Sequence, residues 1–170
     1  MIQPNSNADP PELARGRQTV ILVRLDGQRY ALPLDSVIRV LRAVAVTPVP
    51  ELPPFVLGLI NLAGRLVTVV SLRCCLGGPG RGVRPEDQLV VVKTPRLTLA
   101  VVVDEVQELT TLDESQTVAV GPALREEGCR AHGLVKLHGE IILIYELNQL
   151  ISQAEQEHIR QVTEAAQAHV

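Results

Sequence analysis

Between Thr19 and Tyr145 the chain repeats one pattern: a short, β-branched apolar run that stops at a turn-forming pair. TVILVRL (19–25) ends at Asp26-Gly27, and QRYALPL (28–34) returns. Asp-Gly between two such runs is a strong two-residue hairpin signal, because both positions of a tight reversal need positive φ. Two further apolar runs within FVLGLINLAGRLVTVVSLRCCLG (55–77) flank Asn61-Leu62-Ala63-Gly64, a turn-like group closed by glycine, which predicts a second hairpin. QLVVVKT and LTLAVVV follow, joined by Pro95-Arg96; DEVQEL and TTLDESQTVAV continue the alternation, and CRAHGLVKLHGEIILIYEL folds back about Gly139. Short strands punctuated by turns, with one long helical pattern at the end, point to a mainly β fold built as a barrel or a pair of barrels. A chain of 170 residues suits one domain, or two small lobes that share a core.

The remaining segments are connections. Asp35 and Ser36 cap a short helical turn through Val37 and Ile38, and RVLRAVAV then reads as a strand up to Thr47. PVPELPP (48–54) is an extended surface strap, since proline lacks the amide hydrogen and restricts the residue before it. Ser71 caps a helical turn, LRCCL, that ends at Gly77-Gly78, and GGPGRGVRPED to residue 87 reads as a flexible loop. Residues 1–17 read as a flexible tail and GPALREEG (121–128) as a loop or linker. From Glu146 onward Leu147, Leu150, Ile151, Ala154, His158 and Val162 recur at helical spacing, which predicts one helix face packed on the barrel, with a weakly apolar end, TEAAQAHV. The expected organisation is a tail (1–17), a domain (18–152) and a C-terminal helical extension (153–170).

Composition excludes several function classes. Sixteen Lys and Arg against nineteen Asp and Glu leave a net charge of −3, which supplies no global attraction to nucleic acid or anionic membrane. Tyr30, Phe55 and Tyr145 are the only aromatic residues, too few for a base-stacking platform. No apolar run approaches the ~18 residues of a membrane span, and the first residues lack the apolar core of a signal peptide, so a cytoplasmic location without membrane insertion is expected. Cys74, Cys75 and Cys129 form no paired metal spacing and read as buried thiols in a reducing compartment. No phosphate-binding glycine loop or nucleophile elbow is present. His132, His138 and Glu140 share strand parity, but Gly139 places a turn between them, so no metal is expected there. Asp104-Glu105 is the most suggestive carboxylate pair; as neighbours at the end of a strand they face opposite ways, with solvent the expected surrounding. The expectation is a non-enzyme with no cofactor.

At GLINLAGRLVTVVSLRCCLG (58–77) the sequence resembles the CheW family of bacterial chemotaxis coupling proteins: Gly58, Asn61, Leu62, Gly64, Val69, Leu72 and Arg73 match the family pattern. LPLDSVIRVLR followed by TPVP resembles the family's segment before the proline strap, VVVDEVQEL its Val-Asp-x-Val strand, and GLVKLHGEIILIYELNQLI its closing hairpin and helix start. The resemblance implies two SH3-like, five-stranded β-barrel subdomains sharing an apolar core, with short helices and a C-terminal helix. It implies a non-catalytic adaptor that couples the regulatory domain of a CheA-type histidine kinase to the cytoplasmic tip of methyl-accepting chemoreceptors, in chemotaxis or related two-component signal transduction.

By the same resemblance, partner binding falls to Val37, Arg39, Gly58, Asn61, Leu62, Ala63 and Gly64, with Val103 and Val106 on the receptor-facing side. Each also has a purely structural reading: glycines for backbone geometry, Asn61 bonded to its own turn, and Val37, Leu62, Val103 and Val106 as core. The chain departs from the family where it has Ala63 for arginine, Arg39 for an acidic residue, Thr68 for proline and Ser71 for aspartate. Lost and reversed charges alter partner choice more than raw affinity. The alternative function is therefore a repurposed scaffold that self-assembles or binds a non-receptor partner.

Overall fold

The computed structural model describes residues 16–123 and 130–169. Its strands are β1 (Arg17–Leu25), β2 (Gln28–Pro33), β3 (Val37–Arg42), β4 (Val56–Leu62), β5 (Arg65–Ser71), β6 (Gln88–Lys93), β7 (Thr98–Val103), β8 (Glu105–Asp113), β9 (Thr117–Ala119), β10 (Gly133–Leu137) and β11 (Glu140–Ile144). The helices are α1 (Leu72–Cys75), α2 (Leu147–Leu150) and α3 (Gln153–Gln167). Most of residues 1–17, most of 121–128, and Cys129 lie outside the described residues.

All three expected hairpins form, each through a two-residue loop. Leu25 pairs with Gln28, Leu62 with Arg65, and Leu137 with Glu140. Each loop holds positive φ at both positions: Asp26 (52°) and Gly27 (78°), Ala63 (51°) and Gly64 (88°), His138 (50°) and Gly139 (78°). This backbone matches the right-handed twist of the strands it joins.

The strands assemble into two sheets, with orders β8-β1-β2-β11-β10-β9 and β3-β6-β7-β5-β4. They make up the two SH3-like barrel subdomains; the first has a short sixth strand, β9, beyond the expected five. The chain begins in the first sheet, builds the whole second sheet, and returns at β8, so β1 lies between strands from opposite parts of the sequence.

Period-two alternation explains why so many runs are apolar throughout. Along β1, Val20 and Leu22 point into the first barrel, whereas Ile21, Val23 and Leu25 point into a shared core. Along β6, Leu89 and Val91 fill the second barrel while Val90 and Val92 join the shared core; β7 divides likewise, Ala100 and Val102 against Leu99, Val101 and Val103. Strands buried on both faces carry no polar face. Each such Val or Leu stabilises the fold by roughly 1.5–3 kcal/mol before entropy costs. Two of the three aromatics, Tyr30 and Tyr145, pack together at this junction with ring centroids 5.7 Å apart.

Four sequence expectations change. The helical turn read through Val37 and Ile38 is a 3-10 turn over Leu34–Ser36 with no side-chain cap, and Val37 already begins β3. The 48–54 strap is not extended throughout: it turns at Pro50-Glu51, with Glu51 at φ 68°. The strand read up to Thr47 ends at Arg42, because its partner β6 begins at the Arg42–Gln88 pair; Thr47 returns to sheet order only as an isolated bridge to Leu59. The single C-terminal helix is two helices, broken at Ile151-Ser152. Ser152 Oγ accepts from the Glu155 amide (3.1 Å) and Glu155 Oε1 from the Ser152 amide (3.2 Å), a capping box that restarts the helix. The restart rotates the helix face: Ala154 and His158 are exposed, and Gln156 and Ile159 are fully buried. Ile159 sits in the shared core, so α3 is packed into the barrels it follows.

Candidate partner-binding surface

The expected binding residues occupy three places. Gly58, Asn61, Leu62, Ala63 and Gly64 lie on the β4–β5 hairpin, Val37 and Arg39 on the other edge strand of that sheet, and Val103 and Val106 at the β7–β8 corner. At the hairpin tip Asn61 Oδ1 accepts the Gly64 amide at 2.7 Å, closing the turn from within. Ala63 is exposed, and Leu62 packs against the interior of the second barrel. Gly58 has a structural role: a Cβ there would stand 2.1 Å from the Thr47 carbonyl oxygen, at φ +146°. The bare Cα lets the strap dock through reciprocal Thr47–Leu59 backbone hydrogen bonds of 2.9 Å.

On β3, Val37 packs against the shared core and Arg39 is exposed just past a bulge. Val103, read from the sequence as either receptor-facing or core, is 0% exposed inside the shared core. Val106 is half-buried against the same core.

The β7–β8 corner corrects the reading of Asp104. Its carboxylate belongs to a charge cluster that ties distant segments together. Arg73, at the start of α1 and 6% exposed, donates from Nε to Asp26 (2.7 and 2.8 Å) and from Nη2 to Asp104. Asp104 Oδ2 accepts the Asp26 amide at 2.9 Å. Arg81 grips Asp87 with both terminal nitrogens (2.7 and 2.9 Å) and reaches Asp104 at 2.9 Å. The glycine-rich loop read as flexible is therefore anchored at its centre by Arg81. Only Glu105, paired with Arg24 at 2.9 Å, is solvent-facing as expected.

The electrostatics follow from this geometry. Burial pushes the Asp104 carboxyl upward, but the Asp26 amide and the Arg73 and Arg81 guanidiniums outweigh it and hold its pKa below the ordinary value. Asp87 behaves likewise, its burial outweighed by Arg81 and the Arg84 amide. Burial pushes the Cys75 thiol up to about 12, leaving it an unreactive neutral group. His132 lies by Glu146 (3.7 Å) while Glu140 pairs with Arg29 (3.2 Å), so the strand-parity trio does not converge.

Sequence reasoning packs one helix face on the barrel but marks none of the polar contacts of α3. Gln156 meets Thr94 Oγ1 at 3.1 Å, and His158 Nε2 lies 3.1 Å from the Glu51 carbonyl of the proline strap. Thr163 donates to the Ile159 carbonyl (2.8 Å) and so accepts from Thr68, 2.8 Å away and fully buried. Gln167 accepts the Leu66 amide at 2.7 Å and donates to the Gly64 carbonyl at 3.0 Å, bracing the hairpin. The Ser152-x-x-Glu155 capping box was a readable signal for this helix; nothing in sequence marked Gln167.

A model of the CheW-like domain matches residues 19–155. The chain belongs to the CheW-like domain family. Among curated relatives it is 28% identical over 138 residues to the chemotaxis protein CheW of Thermotoga maritima, covering 79% of this chain and 87% of that one. It is also 28% identical over 147 residues to the protein FrzA of Myxococcus xanthus, covering 84% and 91%. The crystal structure of the scaffolding protein TtCheW from Thermoanaerobacter tengcongensis superposes with a TM-score of 0.71 at 26% identity, over 79% of this chain and 92% of that chain. The chain is thus a CheW-like coupling or scaffold protein, from a non-catalytic family.

Two departures from the CheW pattern have structural answers here. Ser71 keeps the helix cap an aspartate would make, its Oγ 3.3 Å from the Cys74 amide. Thr68 provides the hydroxyl that holds Thr163. Ala63 and Arg39 are both exposed. No helix among the described residues is long and apolar enough to cross a membrane.

Proposed function

We propose that this CheW-like chain is a cytoplasmic coupling adaptor, joining the regulatory domain of a CheA-type histidine kinase to the cytoplasmic tip of methyl-accepting chemoreceptors in chemotaxis or a related pathway. The observation that carries the reading is the exposed Asn61–Gly64 hairpin, held rigid on a CheW-like barrel by its internal hydrogen bond and by Gln167. A preorganised loop loses little freedom on binding. Val37, Arg39, Leu62, Ala63 and Val106 are the residues to test as partner contacts. In this reading Gly58, Asn61 and Gly64 shape the loop and Val103 sets the barrel packing beneath it. Residues 18–152 form the coupling module and 153–170 its helical brace.

The test is calorimetric titration against the regulatory domain of a CheA-type kinase encoded beside this protein, with circular dichroism to establish folding. Saturable binding at micromolar affinity or tighter is the expected result; no binding by folded protein rejects the reading. A second reading, a repurposed scaffold that self-assembles or binds a non-receptor partner, is favoured by Arg39 and Ala63. Ring or filament assembly without kinase would support it, and stimulation of kinase activity in a reconstituted assay would count against it. Ala63→Arg combined with Arg39→Glu is expected to shift binding toward partners of the more typical CheW proteins, read as relative affinity in a competition titration; unchanged selectivity makes the two departures incidental.

A further inference from the structure

The β5 strand has an open stretch of edge beside the hairpin. In its pairing with β4, Leu62 faces Arg65 across the two-residue loop, so the Leu66 amide of the next pair points away from β4. On that other side β7 is the neighbour, but their ladder starts only at Thr68–Leu99. The Gly64 carbonyl and Leu66 amide are therefore unclaimed by any strand. The Gln167 side chain fills the place, accepting from one and donating to the other as a peptide group would.

The surroundings of this edge form a notch of about 200 Å³ between β5, the β6–β7 turn and the last turns of α3. Leu66 and Leu97 supply apolar lining, Arg65 and Arg96 line it with positive charge, and Glu164 is the one carboxylate in the lining. Both arginines are exposed, and neither makes an ion pair among the described residues. Arg160, also in the lining, is already held by Glu157 and Glu164. A backbone donor and acceptor held only by a side chain, apolar neighbours and two arginines without an ion pair, of which Arg96 also lies in the field of Glu157, are together what an extended acidic peptide requires. The volume admits a side chain or two, which favours a segment over a folded surface.

We infer that this notch is a binding site for an extended, acidic and apolar peptide segment of a partner protein, which adds as a short strand to β5 in place of the Gln167 amide. The peptide backbone takes over the Gly64 and Leu66 hydrogen bonds, and its carboxylates pair with Arg65 and Arg96. Gln167 acts as an internal competitor that keeps the edge covered when no peptide is present. Covering exposed strand edges in this way also suppresses unwanted pairing. The inference does not rest on the coupling reading, because it uses neither the kinase nor the receptor.

The probe is a fluorescein-labelled octapeptide of alternating valine and aspartate, with a valine–lysine octapeptide as control, titrated into the full chain by anisotropy and located by amide NMR. The acidic peptide is expected to bind selectively, more weakly as salt rises, and to shift the amides of Arg65, Leu66 and Arg96. Gln167→Ala removes the competitor and tightens binding on the order of fivefold, the scale of one or two net hydrogen bonds. Arg65→Glu with Arg96→Glu weakens binding more than tenfold; should that pair impair folding, Arg96→Gln alone, at an exposed turn, must still weaken it. Equal binding of both peptides, shifts confined to another face, no binding even by Gln167→Ala, or indifference to the arginine changes would each overturn the inference. Kinase titration and peptide titration fail independently, so the loss of one reading leaves the other standing.

Discussion

The Asp26-Gly27 and Ala63-Gly64 turns share a backbone and differ in what their first residue does. Both leading residues sit at φ close to +50°. Asp26 turns its carboxylate onto buried Arg73 and gives its amide to Asp104, so the first turn is part of the cluster that fastens α1 and the β7–β8 corner. Ala63 presents a methyl group to solvent, and the turn is closed by Asn61 behind it and braced by Gln167 beside it. Identical backbone thus yields a structural fastening in one place and an open presenting surface in the other. The side chain at the left-handed position, with what it can reach, makes the difference.

The comparison breaks most severely at the centre of the first turn's network. Arg73→Met leaves Asp26 and Asp104 without their shared cation and is expected to cost roughly 2–3 kcal/mol in urea denaturation, less than breaking a fully buried pair because Asp26 is largely exposed and Arg81 still serves Asp104. On the hairpin side, Gly58→Ala drives a Cβ into the Thr47 carbonyl and should cost roughly 2–3 kcal/mol, with lost protection of the Thr47 and Leu59 amides in hydrogen exchange.

Acid sharpens the contrast, because only the first turn is charged. Asp104 and Asp87 have folded-state pKa values below the ordinary one, so their stabilisation is present above the unfolded-state pKa of about 4 and is lost as pH falls through the depressed folded values. Denaturant midpoints are expected to hold from neutral pH down to about pH 5 and to fall below that; in Arg73→Met the fall should be shallower. The smallest effect is at the turn residues themselves. Ala63→Gly relieves a non-glycine residue from positive φ and is expected to stabilise by about 0.5 kcal/mol, while Asp26→Ala costs roughly 1–2 kcal/mol. Thermal melts of the two variants should move in opposite directions, and parallel shifts would abolish the distinction.

Much of this architecture was legible in the chain. The Asp26-Gly27 reversal is legible to the residue, because positive φ at both loop positions restricts residue choice so sharply; the other two are legible only as a turn within Asn61–Gly64 and a fold about Gly139, which the structure narrows to Ala63-Gly64 and His138-Gly139. The Ser71 cap was legible for a similar local reason. Local signals ran out where a competing one was overlooked: spacing alone drew one helix from Glu146, although the Ser152–Glu155 box breaks it and turns Gln156 and Ile159 inward. Spacing also cannot tell which apolar face of β7 is covered, so it leaves Val103 both a receptor-facing and a core reading; the structure puts it in the shared core.

The amino-acid sequence by itself determined the hairpins, the order of most strands and the family, since each is written in neighbouring residues or a short ordered motif. Only the tertiary structure decided that β8 closes on β1, that Asp104 meets Arg73 and Arg81, and that Gln167 reaches the edge of β5. Those partners lie 23 to 101 positions apart in the chain. No periodicity spans such intervals; the packing of two barrels on one core brings them together.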